Sequence, residues 1–194
     1  MNAEPGKPVA APTAWTGADL RGSESWIYKL SEAQLNELDT AMQMVDATGL
    51  DAPAITKEHF PLPTLSKTLA DLAHEVEEGR GFQILRGIPV GRYDYRQMRR
   101  LFWGVGLHFA TPWPQTRDGD WFIDVRDEGK NYDENARGYH STSELRYHSD
   151  GTNMVALLCL QKAREGGESS IVSSAAIYNR MLEKRPDLLD VMYE

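Results

Sequence analysis

The stretch that decides the fold lies between residues 143 and 173. It reads SELRYHSDG at residues 143–151, then the apolar run MVALLCL at 154–160, then GGES at 166–169. His148 and Asp150 are two residues apart, so in an extended backbone their side chains project from the same face. Together they would supply two of the three ligands of a 2-His-1-carboxylate site, which leaves positions on iron(II) open for a cosubstrate and oxygen. Two alternatives stay open: a zinc site acting on water, because both side chains also suit zinc, and a hydrogen-bonded histidine near a turn.

The apolar run predicts a strand buried on both faces. Its seven consecutive apolar residues are bounded by Gly151 and by the turn at Gly166 and Gly167. Cys159 lies inside this run, and we expect it to be a small core residue. It is the only cysteine in the sequence, so no internal disulfide can form, which suits a reducing cytoplasm.

Four segments, in this order, resemble the taurine and chlorophenoxyacetate dioxygenase (TauD/TfdA-like) family of iron(II)/2-oxoglutarate oxygenases. They are HSDG at 148–151, LLCL at 157–160, GGES at 166–169, and Tyr178 followed by RPDL at 185–188. The resemblance implies an α+β fold built on a double-stranded β-helix, or jelly roll of the clavaminate synthase type, with N-terminal flanking helices. It also implies Fe(II) bound by His148 and Asp150, and 2-oxoglutarate as cosubstrate with one carboxylate bound by Ser169. Glu144 aligns with a substrate-contacting position in relatives, and the alternative for it is a surface residue in a loop.

The activity that the resemblance implies is oxidation of a small-molecule C–H bond, with release of succinate and CO2. In relatives, a second histidine ligand and an arginine that binds the far carboxylate of 2-oxoglutarate lie well downstream of the Gly-Gly turn. No histidine follows His148 in this sequence. Three arginines do follow, in a turn and a helix rather than on a returning strand: Arg164, Arg180 and Arg185. We therefore expect an N-terminal fragment of such an enzyme, inactive by itself unless His108 or His140 supplies the third ligand.

The rival hypothesis is a truncated, non-catalytic jelly-roll module that binds a ligand or a partner. A jelly roll closes only when later strands pair with earlier ones. In an incomplete domain, residues 154–160 would therefore present an unpaired edge and an uncovered apolar face. Such a face favours self-association, so a homo-oligomer is a further candidate.

The remaining sequence predicts an arm followed by one domain. Residues 1–16 are rich in Pro, Ala and Gly and predict a mobile N-terminal arm, and residues 17–194 predict the oxygenase domain without its C-terminal part. Helices are expected to begin at the capping residues Ser31, Thr64, Asp94 and Ser174, and short strands are expected over 26–28, 82–85 and 120–125. The third of these helices is expected to fail near Gly104 and Gly106.

Composition excludes several function classes. The chain has 194 residues, of which 41% are hydrophobic and 26% charged, as in ordinary globular proteins. The net charge of −8 argues against a nucleic-acid partner, which would require a basic face. The longest apolar run has seven residues, too few to cross a bilayer, and no secretory signal is visible. We expect a cytoplasmic protein with a small-molecule substrate and without a nucleic-acid or membrane partner.

Overall fold

The computed structural model describes residues 6–10, 12–126, 145–189 and 191. The chain divides into two compact units, residues 1–110 together with 156–194, and residues 111–155. The elements of the larger unit are, in chain order, α1 (Gly17–Leu20), β1 (Ile27–Lys29), α2 (Glu32–Thr48), α3 (Leu65–Glu77), β2 (Ile84–Arg86), a 3₁₀ turn (Val90–Arg92), α4 (Tyr95–Phe109), α5 (Ser174–Lys184) and a second 3₁₀ turn (Pro186–Leu188). This mixture of helices and a small sheet agrees with the predicted α+β class.

Helices α2, α3 and α4 enclose the core of the larger unit, where α4 packs against both of the others. Each helix buries apolar side chains at helical spacing: Leu38, Met42 and Val45 in α2, Leu65, Leu69 and Leu72 in α3, and Met98, Leu101 and Val105 in α4. Each such burial contributes about 1.5–3 kcal/mol. The core is therefore helical, and the connector between α2 and α3 adds the fully buried Phe60 to it.

The predicted helix starts at Ser31 and Asp94 are confirmed as reciprocal capping boxes. The Ser31 hydroxyl accepts a hydrogen bond from the Gln34 amide N–H at 3.3 Å, and the Gln34 side chain accepts one from the Ser31 N–H at 2.9 Å. Asp94 accepts from the Gln97 N–H at 2.8 Å. These bonds satisfy N–H groups that the first helical turn leaves without partners.

The start of α3 was predicted at the correct residue, Thr64, but with the wrong capping group. The Thr64 side chain does not cap the helix. Instead the Glu37 carboxylate, from α2, accepts hydrogen bonds from the backbone N–H of Thr64 at 2.9 Å and of Leu65 at 3.0 Å. The cap of one helix is thus supplied by its neighbour, 27 residues earlier in the chain.

The prediction that the third helix fails near Gly104 and Gly106 was wrong, because α4 continues to Phe109. Gly104 is buried, and a Cβ atom there would lie under 3.0 Å from three ring carbons of Phe60. The glycine therefore makes room for an aromatic ring rather than ending the helix. Tyr95, predicted to point inward, is 50% exposed.

The sheet pairs β1 and β2 in parallel, with Ile27 opposite Ile84. Both strands were predicted, and each lies one or two residues later than expected. The Ile84 N–H donates to the Trp26 carbonyl at 2.9 Å, and the Leu30 N–H donates to the Arg86 carbonyl at 2.9 Å. The parallel pair ties the start of α2 to the segment before α4.

The predicted buried strand at residues 154–160 is wrong for this structure. No strand is assigned there, and the side chains of Val155, Leu157 and Leu160 are 52%, 76% and 42% exposed. Cys159, predicted in the core, is exposed as well. The physical reason is the lack of a partner strand among the described residues, since an apolar run is buried only when another element covers it.

The smaller unit, as far as it is described, contains neither helix nor strand. The strand predicted at 120–125 is therefore wrong for this structure. A turn precedes it, in which the Gln115 N–H donates to the Asp120 carbonyl at 2.6 Å and the Thr116 hydroxyl donates to the Asp120 carboxylate at 2.8 Å. The polar loop predicted after this segment lies outside the described residues from 127 to 144.

Two further predictions concern the ends of the larger unit. α5 begins one residue after the capping Ser173, close to the predicted cap at Ser174, and it ends at Lys184 as expected. The proposed mobility of residues 1–16, and the single domain over 17–194, stay predictions. None of the helices in the described ranges is long and apolar enough to span a bilayer.

Candidate metal and cosubstrate site

The two predicted metal ligands, His148 and Asp150, lie close together in the smaller unit. His148 Nε2 is 3.9 Å from Asp150 Oδ1. Metal–ligand bonds of about 2.0–2.2 Å place two ligand atoms on one ion about 3 Å apart at a right angle and about 4.2 Å apart at most. The observed separation falls inside this range, so it is compatible with both atoms binding one ion. The i, i+2 spacing, read from the sequence, thus predicted a real proximity.

A local hydrogen bond favours one tautomer of the neutral His148 ring. Its Nδ1 atom lies 2.7 Å from the Arg146 carbonyl oxygen. A carbonyl oxygen can only accept, so Nδ1 carries the proton, and in the neutral ring Nε2 presents its lone pair. Histidines that bind metals are commonly oriented in this way, with the second ring nitrogen donating to a carbonyl. Nothing in the sequence pattern pointed to the Arg146 carbonyl.

The donor set fits two positions of the predicted iron site. Both side chains are open to solvent, with 56% of His148 and 57% of Asp150 exposed. Within the described ranges, no three His, Cys, Asp or Glu side chains are grouped so as to hold a metal ion. Imidazole and carboxylate suit iron(II) as well as zinc. For either metal, a third donor would have to come from a residue other than His148 and Asp150.

The predicted cosubstrate residue, Ser169, belongs to the larger unit. It follows the turn at Gly166 and Gly167, whose φ angles of +69° and +76° are readily adopted by glycine. Ser169 is exposed, and four residues later Ser173 begins α5. A hydroxyl in this position is free to donate to an anionic ligand.

The other predicted site residues are distributed as follows. Glu144, the candidate substrate contact, and His140 lie outside the described residues. His108, the other candidate for a third ligand, lies at the end of α4, where its Nε2 atom is 2.9 Å from the Phe60 carbonyl oxygen. The arginines are paired locally, Arg180 with Glu183 at 2.7 Å and Arg185 with Asp187 at 2.7 Å.

A charged cluster that the sequence reading missed joins α4 to the end of α2. Arg100, with a side chain only 7% exposed, bonds Asp46 at 2.7 Å and Asp51 at 2.7 Å. Arg96 bonds Asp51 from outside. Hydrogen bonds from Arg96 and then Arg100 lower the pKa of Asp51 to about 2. The available signal was two arginines four residues apart on one helix face, and their function is to hold the helices together.

Comparison with known proteins supports the resemblance noted in the sequence. The profile of the taurine catabolism dioxygenase TauD, TfdA family matches residues 47–194. FR-33289 synthase of Streptomyces rubellomurinus (strain ATCC 31215) is 32% identical over 189 residues, which cover 96% of this chain and 56% of the relative. The taurine hydroxylase-like protein SAT17 of Stachybotrys chartarum (strain CBS 109288 / IBT 7711) is 33% identical over 189 residues, which cover 93% of this chain and 49% of the relative.

The matches cover most of this chain but only part of its relatives. The chain spans about half the length of the curated relatives it matches. The family profile covers most of the chain, and the matched range includes His148, Asp150 and Ser169. The chain is a member of the taurine catabolism dioxygenase TauD, TfdA family.

Proposed function

We propose that the complete protein is an Fe(II)/2-oxoglutarate-dependent dioxygenase that oxidises a C–H bond of a small molecule. His148 and Asp150 would bind the iron, and Ser169 would bind a carboxylate of 2-oxoglutarate. The family match supports the oxygenase class, and the two relatives named as a synthase and a hydroxylase-like protein agree with it. The jelly roll typical of such enzymes is part of the same proposal.

The residues of this chain would bind and orient, while the bound groups supply the oxidising chemistry. With iron(II) present, 2-oxoglutarate and O2 would be converted to succinate and CO2, and one oxygen atom would enter the substrate C–H bond. The Arg146 carbonyl would hold the His148 ring with Nε2 toward the metal. Asp150 would contribute the negative charge that a divalent ion requires, and the Ser169 hydroxyl would donate to the cosubstrate carboxylate.

The observation that carries this proposal is the geometry of the histidine. His148 Nε2 is left with its lone pair by the bond from Nδ1 to Arg146, and it lies 3.9 Å from the Asp150 carboxylate. A carboxylate beside the nitrogen that keeps its lone pair supports the assignment of both side chains as ligands of one metal ion.

Metal titration tests the ligands directly. Anaerobic titration of Fe(II) into the chain should show weak binding that falls at least tenfold in His148→Ala and in Asp150→Ala. His74→Ala is the matched control, because His74 is exposed on α3 and lies outside the site. Equal Fe(II) affinity in His148→Ala and His74→Ala would exclude the proposed iron site.

The cosubstrate residue has its own test. In the complete protein, Ser169→Ala should weaken 2-oxoglutarate binding by about tenfold or more, since a hydrogen bond to a charged group contributes about 1.5–3 kcal/mol. The neighbouring exposed Ser170 gives the control Ser170→Ala. Fe(II) affinity should be the same in both variants. A 2-oxoglutarate affinity that Ser169→Ala leaves unchanged would mean that the hydroxyl is not the carboxylate donor.

A second candidate function is a non-catalytic module that binds a partner. The exposed side chains of Leu157 and Leu160 favour it, because exposed apolar side chains are typical of interaction sites. Light scattering should then show a complex or a homo-oligomer, and Fe(II) should bind with no preference for His148. A cytoplasmic location and a small-molecule substrate stay predictions under the first candidate.

A further inference from the structure

Residues 6–10 of the N-terminal arm lie beside helix α5, where the Asn179 side chain forms hydrogen bonds with the backbone of Val9. The Val9 N–H donates to Asn179 Oδ1 at 2.8 Å, and Asn179 Nδ2 donates to the Val9 carbonyl at 2.7 Å. One amide side chain thus satisfies both polar groups of a residue, as a neighbouring strand would. The Gly6 N–H adds a bond to the Tyr178 hydroxyl at 3.0 Å.

The same arm is bound a second time at the start of α5. The Ser173 hydroxyl donates to the Thr13 carbonyl at 2.5 Å and accepts from the Ala176 N–H at 2.9 Å. Ser173 is only 6% exposed. From this buried position its hydroxyl both caps the helix and binds the arm. Residues 155–172 immediately before it are exposed, except for the half-buried Leu158.

The far end of the arm is anchored on the segment before β2. The Trp15 indole N–H donates to the Arg80 carbonyl at 2.8 Å. The Trp15 ring meets the Phe82 ring edge-on, with 5.1 Å between their centroids. The arm is therefore bonded beside the sheet through Trp15, at the N-cap of α5 through Thr13, and on α5 itself through Val9 and Gly6.

We propose that residues 6–10 and 12–15 form a strap that positions the segment carrying Ser169. Asn179 and Ser173 act as positioning residues, because they join the strap to the helix that follows this segment. Ser169 lies four residues before Ser173, between the Gly-Gly turn and the first buried point of the chain. With the strap in place, the backbone near Ser169 has less freedom to move, because only three residues separate it from the buried Ser173. The cosubstrate part of this inference rests on the proposed function, whereas the mechanical part does not.

The test compares Asn179→Ala with Asn36→Ala in the chain as it stands. Asn36 lies exposed on α2, and alanine raises helix propensity at either position. Any loosening seen only in Asn179→Ala therefore arises from the lost bonds to Val9. Amide exchange at Val9 should become about tenfold faster, as expected for losing two neutral hydrogen bonds. Backbone order parameters at residues 168–172 should fall below about 0.6, the flexible range.

Binding of 2-oxoglutarate to the Fe(II)-loaded complete protein gives the second measurement. Asn179→Ala should weaken it about fivefold or more without changing Fe(II) affinity, and Asn36→Ala should change neither. Order parameters at 168–172 that stay at the wild-type value would overturn the strap. Lowered order parameters with unchanged 2-oxoglutarate affinity would overturn its role in cosubstrate binding. Lowered order parameters, together with no binding of 2-oxoglutarate by the complete wild-type protein, would support the strap and refute the proposed role of Ser169.

Discussion

Alanine substitution at Gly104 and Gly106 should change stability in opposite directions, although both glycines lie in the same helix. In an exposed helix interior, replacing glycine by alanine stabilises by about 0.8–1.0 kcal/mol. A Cβ atom at Gly106 would meet nothing within 4 Å, so Gly106→Ala should realise most of this gain. It lies three residues before the end of α4, where fraying reduces the gain to about 0.5–1 kcal/mol.

At Gly104 the same methyl group meets a ring that has nowhere to move. The added Cβ would lie under 3.0 Å from three ring carbons of Phe60, which is 0% exposed. Carbon contacts are favourable at about 3.5–4.0 Å, so the ring or the helix must shift by roughly 1 Å. Overpacking of this kind costs about 1–3 kcal/mol, occasionally more. Three such close contacts place the cost in the upper part of this range, about 2–3 kcal/mol, so after the propensity gain of about 1 kcal/mol is subtracted Gly104→Ala should destabilise the fold by about 1–2 kcal/mol.

Urea unfolding followed by circular dichroism measures both effects. The midpoint should rise in Gly106→Ala and fall in Gly104→Ala, with similar slopes. A smaller residue at position 60 should relieve the clash, so Phe60→Leu combined with Gly104→Ala should cost less than the two single changes added together. The reasoning is refuted if Gly104→Ala stabilises as much as Gly106→Ala does, since Phe60 would then not be packed against the glycine.

Three further predictions concern the bonds between the helices. Hydrogen bonds from Arg96 and Arg100 lower the pKa of Asp51 from 3.8 to about 2, so the contribution of Asp51 to stability is complete above about pH 4 and is lost as pH falls toward 2. The difference in unfolding free energy between wild type and Asp51→Asn, measured by urea unfolding, should therefore shrink from about pH 4 to about pH 2. A difference that stays constant would contradict this assignment. Arg100→Met should lower the unfolding free energy by about 1.5–3 kcal/mol, because the Arg100 side chain is buried while its carboxylate partners keep some contact with water. Arg96→Met, which removes an exposed ion pair, should lower it by about 0–1 kcal/mol. Equal losses in thermal unfolding would argue against the central role of Arg100. Burial would raise the pKa of Glu37, but hydrogen bonds from Thr64 and Leu65 outweigh this effect and lower the pKa. Glu37→Ala should lower the unfolding free energy by about 1–2 kcal/mol, because it leaves the start of α3 uncapped. Thr64→Val keeps the backbone N–H and should not reproduce this loss in full.

The features that the sequence predicted well are local ones. The capping boxes at Ser31 and Asp94 join residues three positions apart, and Gly49 ends α2 with a φ of +71°. Such contacts depend only on the nearby sequence. The proximity of His148 and Asp150 belongs to the same class, because the two residues are only two positions apart in the chain.

The features that failed depend on a partner distant in sequence. The Glu37 cap of α3 comes from 27 residues away. The need for glycine at position 104 arises from Phe60, which lies in the connector between α2 and α3. Local patterns contain no information about either partner. The glycine was therefore interpreted as a helix breaker, although its function is to admit an aromatic ring.

The apolar run at 154–160 shows why the site could be predicted only in part. Its composition states which environment the residues prefer, namely the inside of a sheet, but the covering element must be supplied by other segments. Among the described residues no strand pairs with it, and Leu157 is 76% exposed. The proposed metal site would have the same dependence, because His148 and Asp150 are two residues apart, whereas a third donor would come from another segment. A motif of nearby residues can thus suggest the chemistry of a site without specifying the elements that would complete it.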